Sequence, residues 1–130
     1  MPKAPIQLSD LQLDVLRVLW NSGEATVSDV HAALADDRAL AATTVSTLLK
    51  RLERYGHVSH RKEGRQFIYR AKMSESEAKH SMVSELAGRL FSGDVPELLN
   101  HLLSAREMER GDLERIKELI AAKESELGRD

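Results

Sequence analysis

Apolar residues return along this chain at helical intervals in six stretches, interrupted once by a segment of alternating polarity. In the first stretch Leu11, Val15, Val18 and Leu19 form one stripe, while Leu13, Leu16 and Trp20 lie off it. A helix apolar on more than one side is buried between neighbours, which places Trp20 in the core. Ser9 with Gln12 makes a capping box, Leu8 is a candidate staple and Ser22-Gly23 a stop, so the helix is predicted to run to about Asn21. Thr26, with Asp29 three residues on, caps a short second helix over Val27 to about Leu34, with Val27, Val30, Ala33 and Leu34 inward. After a link containing Asp36-Asp37 comes the third stretch, Ala41 to Tyr55, where Ala41, Val45, Leu48, Leu49 and Leu52 fall on one face.

The opposite face of that third helix changes the picture from fold to function. Thr43, Thr47, Lys50 and Arg54 stand opposite the apolar stripe, flanked by Thr44, Ser46 and Arg51. Solvated helix faces favour Glu and Lys, because β-branched Thr lowers helix propensity. Hydroxyls at the N-terminal half and cations at the C-terminal half suit a helix set against base edges, with phosphates beside it. Two short helices joined by a brief turn, the second with this face, read as a helix-turn-helix.

Gly56 closes the third helix, and His57–Lys62 and Arg65–Ala71 are predicted as two strands about a Glu63-Gly64 turn. Phe67 and Tyr69 share one side of the second strand, with Val58 paired to that inward set. Arg61, Lys62 and Arg65 cluster at the turn. Three helices followed by a basic-tipped hairpin form a winged helix, whose wing lies along the sugar-phosphate backbone. From Ser74, which caps with Glu77, helical periodicity resumes in three further stretches: one to about Phe91 and Ser92-Gly93, one capped by Asp94, and a last one after the polar run Ser104–Gly111. Their apolar faces carry Leu86 and Leu90, then Val95, Leu98, Leu99, Leu102 and Leu103, then Leu113, Ile116, Leu119, Ile120 and Leu127. That surface exceeds what is needed to cover a winged helix, and self-association is its natural sink. The expected fold is therefore mainly α. An N-terminal winged helix-turn-helix spans residues 1–72, and a three-helix C-terminal dimerisation unit spans 73–130.

Composition narrows the chemistry. The 130 residues suit a compact domain with an appendage, or two very small domains. With no cysteine there is no disulfide framework, thiolate metal site or cysteine nucleophile. No leader pattern and no long apolar run are visible, so the chain reads as soluble and cytoplasmic, without membrane contact. The formal net charge of −2 alone argues against nucleic acid, but its distribution does not. Residues 50–72 carry 8 Lys+Arg against 2 Asp+Glu, whereas 1–49 carry 3 against 6 and 73–130 carry 8 against 13. A focused basic patch on a mildly acidic protein fits a docking surface. His57 and His60 point to opposite faces of a predicted strand, and His31, His80 and His101 sit on separate helices, so no metal site is expected. No phosphate loop or catalytic arrangement is present; no cofactor is expected, and nothing indicates an enzyme.

The blocks LDVLRVLW (Leu13–Trp20), TVSDVHAAL (Thr26–Leu34), TTVSTLLKRLERYGHV (Thr43–Val58) and KEGRQFIY (Lys62–Tyr69), in this order and spacing, resemble the BlaI/MecI family of penicillinase and methicillin-resistance repressors. The C-terminal layout is similar too, so the resemblance covers nearly the whole chain. It implies a homodimer bound to an inverted-repeat operator in double-stranded DNA. The base-facing residues would be Thr43, Thr44, Ser46 and Thr47, with Lys50, Arg51 and Arg65 nearer phosphates; Arg54, Arg61 and Lys62 complete the candidate DNA surface. Candidate dimer contacts are Leu86, Leu90, Leu98, Leu99, Leu102, Leu103, Leu113, Ile116 and Ile120. Ala42 stands where related sequences often carry Tyr, Pro or Arg, so operator preference is expected to differ in detail. Relatives that answer β-lactams are cut by an upstream protease at an Asn–Phe bond. The matching bond here is Asn100-His101: the Asn is kept and the Phe is not, which favours an ordinary polar role for Asn100 over a cleavage site. The cysteine-rich tail of copper-responsive relatives is missing, which excludes that mode.

Two other classes compete with a repressor. Winged helices also serve as protein–protein interaction modules, a reading that leaves the basic wing unexplained. A small-molecule-responsive regulator is the other, weakened by the low aromatic content and the lack of convergent polar residues in the C-terminal helices.

Overall fold

The computed structural model describes residues 8–105 and 108–129. Local signals set most of its elements. Ser9 Oγ accepts from the Gln12 amide while the Gln12 side chain accepts from the Ser9 amide, and this box starts α1, Asp10–Ser22. Gly23 terminates it, its amide donating to Leu19 O at 2.8 Å. A second reciprocal box, Thr26 with Asp29, opens α2, Val27–Leu34. Helix α3 runs Ala42–Arg54 and is followed by strands β2, Val58–Glu63, and β3, Gln66–Ala71. Then come α4, Glu75–Phe91, α5, Val95–Ala105, and α6, Arg110–Leu127. Ser74 Oγ and Asp94 Oδ1 accept from the amides of Glu77 and Glu97, as their spacing predicted.

One element was not predicted. Ala25–Thr26 forms a two-residue strand, β1, antiparallel to β3, with Ala25 opposite Tyr69 and Thr26 opposite Ile68. The sheet order is β1-β3-β2. The wing turn is also displaced by one residue from the Glu63-Gly64 expectation. Glu63 pairs with Gln66, so the loop is Gly64-Arg65, with Gly64 at φ +62° in its first position. That placement matches a type II′ turn, whose twist suits a hairpin and whose first position favours glycine.

The chain divides into two compact units, Met1–Glu85 and Leu86–Asp130, the division falling inside α4. In the first unit α1, α2, α3 and the sheet enclose Val15, Leu16, Leu19, Val30, Val45, Leu49, Leu52, Val58 and Tyr69, all buried. Truncating a buried leucine of this kind to alanine costs about 2–5 kcal/mol, so this core anchors everything mounted on it. Trp20 is half-buried at the edge of the core rather than inside it, because its Nε1–H reaches out to the Met73 carbonyl at 2.9 Å. Tyr69 is inside as expected, but Phe67, on the same side of β3, is 41% exposed. The hairpin outruns the core at that point, so the inward face of its tip has nothing to pack on.

The second unit differs in kind. None of its described residues is buried, although its helices carry Leu90, Val95, Leu102, Leu103, Leu113 and Ile120 exposed. Among the described residues no helix is long and apolar enough to cross a membrane, and no group of side chains could hold a metal ion.

Candidate nucleic-acid interface

Helix α3 owes its orientation to its buried face. Val45, Leu49 and Leu52 are fully enclosed and Leu48 nearly so, which turns the opposite face to solvent. On that face Thr43, Thr44, Thr47, Lys50, Arg51 and Arg54 are exposed and Ser46 is half-buried. The threonines are not equivalent: Thr47 Oγ1 donates to the Thr43 carbonyl at 3.0 Å. Two contacts fix the link that delivers α3. His31 Nε2 donates to the Leu40 carbonyl at 2.7 Å, and Arg38 Nε donates to Asp14 Oδ2 at 2.7 Å.

The start of α3 departs from its neighbours. Its N-cap is Ala41, no side chain caps it, and its first turn carries no acid. The Thr44 amide donates to the Ala41 carbonyl at 3.0 Å, which leaves the Ala42 and Thr43 amides to solvent or to an incoming acceptor, and the positive end of the helix dipole is not offset. Arg51 and Arg54 occupy the last turn, where cations complement the dipole.

The wing is held at its root from both sides. His60 lies opposite Tyr69 on the inner face of the sheet, and its Nδ1 bonds the Glu53 carboxylate of α3 at 2.6 Å. Its ring packs 4.8 Å from Phe67 and 5.5 Å from Tyr69, centroid to centroid. Arg61 points to the outer face, where its Nε donates to Glu24 Oε2 at 3.0 Å and its Nη1 donates to Glu63 Oε2. Donation to Glu63 first, then to Glu24, raises the guanidinium pKa above its ordinary value. Burial, and secondarily the charge of Glu53, raise the Tyr69 phenol above 10.0.

The ten residues read from the sequence as DNA-facing therefore lie on α3 and on the wing, in one unit, nine of them exposed. Lys50, Arg51, Arg54, Lys62 and Arg65 make no ion pair with another described residue. Arg61 is different: it pairs with two carboxylates. The sequence reading missed the Glu53–His60 and Glu24–Arg61 contacts. The partners lie 7 and 37 residues apart, and no periodicity signals either pairing. Asn100 and His101 are both exposed on α5, with the His101 ring 5.3 Å from Phe91. Of the candidate dimer residues, Leu98, Leu99 and Ile116 are half-buried and the rest are exposed.

Comparison with known proteins follows the same lines. The family model described as penicillinase repressor matches residues 8–122. The penicillinase repressor of Bacillus licheniformis is 25% identical over 120 residues, covering 92% of this chain and 93% of that protein. The solution structure of the DNA-binding domain of the repressor BlaI is 33% identical, with a TM-score of 0.52, covering 58% of this chain and 93% of that one. The Bacillus licheniformis BlaI monomer in complex with the blaP half-operator is also 33% identical, with a TM-score of 0.50 and the same coverage.

Proposed function

The chain belongs to the penicillinase repressor (BlaI/MecI) family of DNA-binding transcriptional repressors, which are not enzymes, and on that premise we propose how it represses. It acts in the cytoplasm as a homodimer on an inverted-repeat operator. Residues 1–72 read DNA and residues 73–130 join two copies. The observation that carries this reading is α3, with its apolar face sunk in the core and its hydroxyls and unpaired cations exposed. Thr43, Thr44, Ser46 and Thr47 meet base edges in the major groove, while Lys50, Arg51, Arg54, Lys62 and Arg65 meet phosphates. The half-operator complex of the Bacillus licheniformis protein supports the same use of this domain.

Dimerisation rests on the second unit, whose amphipathic helices lack a buried core of their own among the described residues. Pairing two copies supplies one and presents two α3 helices to half-sites related by a two-fold axis. For the Asn100-His101 bond, proteolytic relief would require α5 to unwind at that point, because both residues lie within the helix. The loss of the Phe leaves an ordinary helical role for Asn100 as the better-supported reading.

Fluorescence anisotropy of the protein with its own upstream DNA against scrambled DNA, at low and high salt, tests the proposal. Tight, salt-sensitive binding with preference for the upstream fragment is expected. Weak binding indifferent to sequence would overturn it and turn the winged helix into a scaffold for a protein partner.

A further inference from the structure

Among the wing cations, Arg61 alone pairs with a carboxylate of the described residues. Its guanidinium is shared between Glu24, from the α1–β1 connection, and Glu63, at the end of β2. The three side chains together carry a net negative charge, and with Arg70, which lines the same hollow from β3, the outer face of the wing root is close to neutral and holds little attraction for a phosphate while they stay together. Side chains of Lys62 and Arg65, on either side of Glu63 in the hairpin, have no such partner among the described residues. The Arg61 pairs are exposed, with 54% of the Arg61 side chain and 47% of the Glu24 side chain accessible. Ion pairs this open are weak and exchange readily.

We propose that Glu24 is an intramolecular competitor for Arg61, occupying in the free protein the guanidinium that the DNA backbone engages in the complex. The inference rests on the DNA-binding reading and deepens it. A carboxylate and a phosphate oxygen offer the same geometry to a guanidinium, so binding exchanges one acceptor for the other without a rearrangement of the backbone. The exchange leaves Glu24 and Glu63 near the phosphates, and this holds non-specific affinity down. A raised guanidinium pKa agrees with an Arg61 that is already well bonded before any DNA arrives. Glu24 thus sets how much of the wing's charge is available for any sequence, while α3 retains the choice among sequences.

The test is a double-mutant cycle of Glu24→Gln and Arg61→Gln, read by anisotropy on upstream and scrambled DNA across a salt series. With Arg61 present, Glu24→Gln should tighten binding to both DNAs by about threefold at an unchanged salt slope, because Arg61 meets a phosphate in the parent complex too, whereas Arg61→Gln alone should flatten the slope by about one unit. In the Arg61→Gln background the same change should do distinctly less, and the slope should not move. Equal effects in both backgrounds would mean simple through-space repulsion by Glu24 and would overturn the inference. Weaker binding by Glu24→Gln would overturn it too, making the bridge a brace for the wing. A parent chain that binds upstream DNA while the cycle is additive removes this inference alone; a parent with no affinity for DNA removes the functional reading as well. Thermal unfolding of each variant separates these outcomes from a loss of fold.

Discussion

Thr47 has already spent its hydroxyl hydrogen on the Thr43 carbonyl, so toward a base it offers an acceptor and a methyl group. Those suit a donor on a base edge and the thymine methyl. Thr47→Ala should therefore change which sequences are preferred, measured on a panel of single-base operator variants; equal loss on every DNA would remove its base-reading role. Lys50→Ala and Arg65→Ala should instead weaken all sequences alike and flatten the salt dependence by about one unit of slope each. Tyr69 carries a different prediction. Its pKa is raised in the folded state, so folding favours the neutral phenol. The associated stability is complete below the unfolded value near 10.0 and is lost as pH climbs through the higher folded value. Denaturant unfolding between about pH 8 and pH 11 should show this alkaline loss in the parent and not in Tyr69→Phe, using 10 as the ordinary phenol value.

Helix α3 begins without a cap, whereas α1 and α2 both begin with reciprocal boxes. Ala41→Ser should stabilise the fold by about 0.5–2 kcal/mol by supplying the missing acceptor. Ala41→Asp should stabilise it similarly but weaken DNA binding, because its charge would sit where a phosphate is expected. A calorimetric melt and an anisotropy titration check the pair, and an Asp variant that binds DNA as well as the Ser variant would refute the phosphate role of that helix end. The elements show what a sequence can disclose. Capping boxes involve residues three apart, and Ser9–Gln12 and Thr26–Asp29 were legible for that reason. Helices α2 and α3 were legible because each apolar stripe answers to one buried face, and α5 and α6 by the same periodicity although none of their described residues is buried. The wing turn was not, because either placement keeps Gly64 in the loop; the choice between them rests on how Val58 and Tyr69 seat in the core. Strand β1, only two residues long, has no alternation to read and exists through its pairing with Tyr69 and Ile68 far along the chain. The cations of the candidate site could be named from sequence, but not which of them is free. That depends on Glu24 reaching Arg61 across the fold.

At the scale of the whole chain the contrast lies between a unit with its own core and one with no buried residue among those described. Sedimentation should give a dimer for the full chain at micromolar concentration and a monomer for a fragment ending at Glu85, which retains the buried Met73 and Ala78. The fragment should bind a half-site with its preferences intact but lose the gain that comes from linking two sites. A monomeric full chain would end the dimer proposal. One contact offers a way to watch these parts separately. The chain has a single tryptophan, and its indole N–H is held by the Met73 carbonyl just before α4. Intrinsic emission therefore reports on the DNA-reading unit alone, while far-ultraviolet dichroism sums the helices of both. Two melting curves recorded on one sample, one by each signal, would reveal whether the halves of this protein come apart together or in turn.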